Sequence, residues 1–289
     1  MRLHILTRFA PAPTGHLHLG HVVNAVFVWG LARAASGTVL LRIEDHDRQR
    51  SRPEYEAAIL DDLSWLGFEA DAPIVRQSER DDIYRHALET LRARGVVYAC
   101  SCSRTEIGGD RYPGTCRDRH LSEEPEGSGS SRTLRVRMDD SIERFDDLRH
   151  GPQEQQPSAQ CGDVVVRDRE GNWTYQFAAA VDDFVQGVTL VIRGDDLLTS
   201  TGRQIQIARL LGREDPPRFL HHPLIMKSVD QKLSKSDRDT GVRELRAQGW
   251  TAPQVIGRAA VLGGLIPEER DVRASDVPDM MSAFTRGLR

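Results

Sequence analysis

Arg8-Phe9-Ala10-Pro11-Ala12-Pro13-Thr14-Gly15-His16-Leu17-His18-Leu19-Gly20-His21 decides how this chain is read. The short apolar segment that leads into it, Leu3 to Leu6, predicts a strand. The Pro/Gly-rich body breaks regular structure, and Val22 to Ala35 predicts an apolar helix. Strand, glycine-containing loop and helix together aim backbone N–H groups at an anion. His18 and His21 put two imidazoles near that helix start. Gly20 removes a side chain where a nucleotide would approach the backbone.

Outward from this stretch, Thr38 to Ile43 reads as a second strand ending in Glu44-Asp45-His46-Asp47. Alternating strands and helices predict an α/β fold with a doubly wound parallel sheet, whose ligands sit beyond the strands' carboxyl ends. Glu44 and Asp45 fall there. Pro53 opens a helix that stops near Gly67, and another runs from about Glu79 to Arg94, ending at Gly95. From Val96 the character changes: cysteines appear, then a polar Gly/Ser-rich run (Glu123 to Ser131), a strand-like Thr133 to Met138, and a second polar run, Gly151 to Gln160. This predicts an insertion with surface loops. Asp163 to Arg167 then reads as a strand, Glu170 to Asn172 as a turn and Trp173 to Ala180 as the returning segment. Val188 to Arg193 reads as a buried strand before Gly194-Asp195-Asp196, and Thr201 to Leu211 as a helix. The polar loop Lys232-Leu233-Ser234-Lys235-Ser236 follows, then an amphipathic helical segment. The expected division is 1–95 and 161–230 as two halves of a nucleotide-binding domain, 96–160 as the insertion, and 231–289 as the lysine loop with its helical segment.

The 289 residues are 28% charged and 39% hydrophobic, an ordinary globular balance, and the net charge of −4 argues against indiscriminate nucleic-acid binding. A local basic face is compatible with that charge. No apolar run approaches a membrane span and no signal-peptide core is present, so a cytoplasmic protein is expected. In that compartment the four cysteines point to metal or thiol chemistry before disulfides. Cys100, Cys102 and Cys116 share one stretch, and three thiolates with one oxygen or nitrogen donor suit tetrahedral zinc. His120 is the conventional fourth donor. Cys161 lies apart and reads as structural.

His18-x-Gly20-His21 and, much later, Lys232-Leu233-Ser234-Lys235-Ser236 resemble the two signatures of class I aminoacyl-tRNA synthetases. Within that class, Arg8-Phe9-Ala10-Pro11, Pro13-Thr14-Gly15, Arg42-Ile43-Glu44-Asp45-His46-Asp47, Tyr175-Gln176-Phe177-Ala178, Val181-Asp182-Asp183 and Val191 to Leu198 are similar to the glutamyl-tRNA synthetase family, His46 departing from its commoner threonine. The resemblance implies a Rossmann-type catalytic domain. It assigns His18, His21 and Lys235 to catalysis, and His18, Gly20, His21, Lys232, Ser234 and Lys235 to ATP with its magnesium. It assigns Arg8, Ala10, Glu44, Tyr175 and Arg193 to L-glutamate. Cys100-x-Cys102-x9-Tyr112-x3-Cys116 looks like that family's zinc site, which makes Tyr112 the rival of His120 as fourth ligand, with one zinc per subunit.

The segment after Ser236 is too short for the helical domain with which the family reads anticodons, so none is expected. That feature and the zinc spacing are similar to a truncated branch of the family, which attaches glutamate to the queuosine base of tRNA(Asp). The expected partners are ATP, L-glutamate and queuosine-bearing tRNA(Asp), with glutamate activated before any tRNA binds and the protein a monomer. The alternatives are a short glutamyl-tRNA synthetase charging tRNA(Glu) and a non-catalytic tRNA-binding paralogue.

Overall fold

A computed structural model describes residues 4–124, 131–228, 231–232 and 241–288. Its elements run β1 (Leu6–Phe9), α1 (Leu19–Ala34), β2 (Thr38–Ile43), α2 (Pro53–Leu66), β3 (Val75–Arg76), α3 (Asp81–Ala93), β4 (Val97–Cys100) and α4 (Arg104–Ile107). Then come β5 (Thr133–Val136), β6 (Glu143–Asp147), β7 (Gly151–Gln155), α5 (Pro157–Gln160), β8 (Val164–Arg167), α6 (Tyr175–Val185), β9 (Leu190–Gly194), α7 (Thr201–Leu210) and β10 (Arg218–His222). The short hairpin β11 (Met226–Ser228) and β12 (Gln231–Lys232) precedes α8 (Val242–Ala247), α9 (Ala252–Leu262) and α10 (Ser282–Thr285).

β1, β2 and β3 pair in parallel. On the other side of β1 the Thr189 amide donates to the Leu6 carbonyl at 2.9 Å, which lays β9 alongside it. β9 pairs in parallel with β10, β10 with β6, and β7 closes the edge antiparallel to β6. The order is therefore β3-β2-β1-β9-β10-β6-β7, and the winding reverses between β1 and β9. A crevice at that reversal is where open α/β sheets bind their ligands.

α1 is buried on nearly every side, from Val22 and Val23 to Leu31 and Ala32, which explains its apolar circumference. The chain after the lysine loop covers it. A Cβ on Gly30 would come within 2.7 Å of Met281 and 2.9 Å of Val277, so glycine is what lets that cover approach.

Several elements differ from expectation. β1 is Leu6–Phe9 and does not end at Leu6 (Leu3, the expected start, lies outside the described residues), because a central strand next to a site admits Thr7 and Arg8, and a run chosen for apolarity stops short. Helix α1 starts at Leu19, since the histidine side chains cap it three residues early. Trp173 makes only an isolated bridge to Arg167, and Tyr175–Val185 is a helix carrying Phe177, Ala178 and Val181 to the core. Of the polar run 151–160, Gly151–Gln155 is an edge strand held by pairing to β6. The pairing also crosses the boundary drawn at 160: β6 and β7 join the large sheet, whereas β8 pairs with β5 in the antiparallel sheet β4-β5-β8. Among the described residues no helix is long and apolar enough to cross a membrane.

Candidate active site and metal centre

The cleft at the reversal holds about 590 Å³, within the range of small-molecule sites. Arg8, Ala10, His18, Gly20, His21, Glu44, Tyr175 and Arg193 all line it. At its head His18 is the N-cap of α1. The Gly20 amide donates to His18 Nδ1 at 3.0 Å, and the His18 amide donates to His21 Nδ1 at 3.1 Å. Each imidazole thus spends Nδ1 as an acceptor, which leaves its ring proton to Nε2, and both rings line the cleft at a helix N-terminus. The rings lie 3.9 Å apart. A Cβ on Gly20 would stand 2.8 Å from His18 Cε1, so this glycine makes room for the His18 ring itself, an intramolecular need in addition to the one expected.

Beneath the histidines lies a buried charge cluster. Arg8 Nε meets Asp183 Oδ1 at 2.9 Å and its Nη1 donates to the Ile192 carbonyl at 3.3 Å. Arg42, wholly buried near the carboxyl end of β2, reaches Asp183 at 2.8 Å, Glu44 at 3.2 Å and Asp182 at 3.7 Å. Asp182 is completed by Gln77, Arg80 and Tyr84 at 2.7–2.8 Å. Burial alone would raise the Asp183 carboxyl, but Arg8 and Arg42 together hold it well below the usual carboxylate range. At Glu44 burial prevails and pushes the carboxyl up, Arg42 and Arg8 offsetting only part. Burial, then the Glu44 charge, likewise pushes the Tyr175 phenol up.

Arg193 emerges from β9 with most of its donors committed. Nε donates to His221 Nε2 at 3.0 Å, Nη1 to Gln204 Oε1 at 2.6 Å, and Nη2 to Thr201 Oγ1 at 2.8 Å and the Leu197 carbonyl at 3.4 Å. These bonds use four of its five N–H groups. Arg8, by the same count, keeps three. The two arginines are therefore unequal, which their position in the sequence does not reveal. Asn24 Oδ1 and the buried His222 Nε2 have no protein partner among the described residues, and both residues line the cleft. Bound ligand would satisfy such groups.

The chain beyond the lysine loop returns to this site. Gly241 bridges to His18, and the Val242 amide donates to the Leu17 carbonyl at 2.9 Å. Lys232 lies in β12; Ser234 and Lys235 lie outside the described residues.

In the insertion, Cys100, Cys102 and Cys116 bring their Sγ atoms within 4.8 Å of one another. Cys102 and Cys116 are 3.5 Å apart, and Tyr112 Oη lies 3.3 Å from Cys100 Sγ and 4.0 Å from Cys102 Sγ. A tetrahedral ion with Zn–S about 2.3 Å needs S···S edges of about 3.8 Å, so this donor set fits zinc. Tyr112 is buried with Arg135 over its ring face at 3.8 Å, whereas His120 is exposed and outside the cluster. Burial would raise the Cys116 thiol, but the Ser101 backbone and the Tyr112 hydroxyl bring it down to about 6. The packing is tight: a Cβ on Gly162, where φ is +68°, would fall 2.1 Å from the Tyr112 carbonyl oxygen. Cys161 stands apart, its thiol on the Pro157 carbonyl at 3.3 Å.

Residues 4–272 match the family model of class I tRNA synthetases (E and Q), catalytic domain. The chain belongs to this family. It is an ATP-dependent ligase of the class I aminoacyl-tRNA synthetase type. Among curated proteins it is 38% identical to the glutamyl-Q tRNA(Asp) synthetase of Nitratidesulfovibrio vulgaris, over 98% of this chain and 93% of that one. It is 41% identical to the enzyme of the same name from Rhodobacter capsulatus, over 85% and 96%. Its fold superposes with a TM-score of 0.80, at 28% identity, on a glutamate tRNA ligase from Elizabethkingia meningosepticum crystallised with its amino acid. That match covers 96% of this synthetase but only 64% of the ligase.

Sequence motifs leave several site residues without a role. Arg42, Asp182 and Asp183 stand inside quoted motifs, yet their mutual pairing, 141 positions apart for Arg42 and Asp183, is visible only in the fold. Asp147, His221 and Gln204 carry no local signal at all.

Proposed function

We propose that this synthetase activates L-glutamate with ATP, without tRNA, to glutamyl-adenylate and passes the glutamyl group to the queuosine base of tRNA(Asp). The observation that carries this reading is one cleft lined both by two imidazoles at a helix N-terminus, His18 and His21, and by a cluster of Arg8, Arg193, Glu44 and Tyr175 matched to an amino acid with two carboxylates and an ammonium. The names of its relatives support the same substrates. A glutamate carboxylate oxygen attacks the α-phosphorus, the bond to pyrophosphate breaks, and the mixed anhydride remains. His18 and His21 stabilise charge spreading onto phosphate oxygens, and Lys235 is assigned to the same charge. Magnesium bound with ATP would supply further charge neutralisation at the phosphates. Arg8 and Arg193 hold carboxylates and Glu44 the ammonium. A hydroxyl of the queuosine cyclopentene ring then attacks the acyl carbon and AMP leaves.

Cys100, Cys102, Tyr112 and Cys116 are proposed to hold one zinc per chain, which would tie the insertion's loops together. The check is metal content: Tyr112→Phe should lose zinc and His120→Ala keep it, and the reverse result would move the fourth ligand to His120.

The functional test is glutamate-dependent ATP–pyrophosphate exchange without tRNA, followed by acylation of tRNA(Asp) with and without queuosine and of tRNA(Glu). Exchange, and transfer to queuosine-bearing tRNA(Asp) alone, is the expected result. Charging of tRNA(Glu) would support a short glutamyl-tRNA synthetase instead, and absence of exchange a non-catalytic role.

A further inference from the structure

Behind Arg193 runs a line of buried groups set back from the residues that line the cleft. Arg193 Nε–H donates to His221 Nε2 at 3.0 Å, which requires a lone pair on that nitrogen. The ring proton must then sit on Nδ1, and it points at Asp147 Oδ2, 2.7 Å away. Asp147 is itself fixed: the Arg149 and His150 amides donate to Oδ1 at 2.9 Å each, and the His221 amide to Oδ2 at 3.1 Å. Nothing in this line has room to turn, as His221 is fully buried and Asp147 and Arg193 are 3% and 4% exposed.

We propose that Asp147 and His221 are positioning residues that aim Arg193 at a substrate carboxylate, and that the aim is lost when His221 takes up a second ring proton. This rests on the glutamate reading of the cleft. A proton on Nε2 turns the only acceptor for Arg193 Nε among the described residues into a donor and places an imidazolium nitrogen 3.0 Å from the guanidinium. Arg193 must then give up that bond, and the rest of its guanidinium swings with it. The groups facing His221 are Asp147 from β6, Arg193 from β9, Asp195 just beyond β9, Arg149 on the His221 carbonyl, and His222 beside it. α7 contributes the uncharged Thr201 hydroxyl at 3.2 Å. Burial holds the imidazole below the ordinary histidine range despite Asp147, so the arm is set at neutral pH and released in acid.

The test compares wild type with His221→Gln and His221→Leu between pH 5.5 and 8. A glutamine carboxamide carries one acceptor and one donor and does not titrate in this range. In wild type the glutamate KM should rise severalfold toward pH 5.5, the part of a roughly tenfold or larger full effect that a histidine held below its ordinary range reaches there, while the ATP KM changes little. His221→Gln should keep a near-normal glutamate KM at pH 8 and flatten the acid rise, leaving only what Glu44 contributes. His221→Leu should show the raised KM at every pH. An unchanged acid rise in His221→Gln, or equal effects on both substrates, overturns the proposal. Nitrogen NMR of labelled histidine reads the ring independently of activity: a neutral Nδ1–H form at pH 7.5 is required, and an Nε2–H form overturns the relay. Should the protein show neither exchange nor glutamate binding at any pH, the glutamate reading fails, and the NMR result alone decides the relay.

Discussion

At the scale of the residue, the site is governed by which hydrogens are left after the protein has used its own. Arg8 and Arg193 carry the same charge, but Arg193 has been built into the wall by His221, Gln204, Thr201 and the Leu197 carbonyl, and Arg8 retains more of its fork. Replacing either with lysine keeps a charge and loses planar donors. Arg8→Lys is therefore expected to raise the glutamate KM more than Arg193→Lys does, by about tenfold or more, with the ATP KM nearly constant. Steady-state exchange kinetics measure both, and the opposite order would mean that the free N–H groups of Arg8 do not face substrate. Gly20 acts on the histidines instead. Gly20→Ala drives a methyl into the His18 ring at 2.8 Å and misplaces one Nε2–H. The expected loss in kcat is about a hundredfold, the scale of a small misplacement at a reacting centre, with circular dichroism unchanged. A variant of normal kcat would show that His18 is not needed where the fold puts it.

At the scale of the element, α2 and α8 meet over a carboxylate that the fold leaves poorly matched. Asp62 is fully buried, neither oxygen has a hydrogen-bond partner among the described residues, and Arg243 Nε stands 3.8 Å off. Burial pushes its carboxyl up to about 6, with Arg243 offsetting part and Asp61 adding to the rise. The folded chain thus holds this proton more tightly than the unfolded chain does. Stability falls as pH rises from the ordinary carboxylate range to about 6, and the full cost is present above that. Asp62→Asn should add about 1–3 kcal/mol at pH 7.5 and almost nothing at pH 4, read by chemical denaturation. Equal effects at both pH values would place the cause in packing, not in titration. Elements with local punctuation were legible in the sequence: α2 is framed by Pro53 and by Gly67 at φ +82°, and β2 by the apolar run between Gly37 and Glu44. Elements defined by distant partners were not. β7 is polar and exists through its pairing with β6, and α6 hides its helical face in a short alanine-rich run. The site divides likewise: Arg8, Glu44, His18 and His21 sit in motifs, whereas Asp147 reaches His221 across 74 positions.

At the scale of the whole molecule, the chain beyond the lysine loop is part of the catalytic core. Gly241 and Val242 return to the histidine loop, and α9, the turn Ala274–Met281 and α10 then close over α1, the same helix whose first turn carries His18 and His21. The helix that presents the imidazoles at one end is thus clamped along its length by the last part of the described chain. Met281 is fully buried against Gly30 at the middle of that clamp. Met281→Ala would open a cavity there, because the glycine on the other side offers no side chain to fill it. The expected loss is about 2–4 kcal/mol by the usual range for buried methionine truncations. If the clamp and the sheet are one cooperative unit, this appears as a single unfolding transition shifted to lower denaturant, with exchange activity per folded molecule preserved under native conditions. A variant that unfolds in two steps, the C-terminal helices first and the sheet later at its original midpoint, would show instead that the cover is an independent unit and that α1 holds its histidines without it.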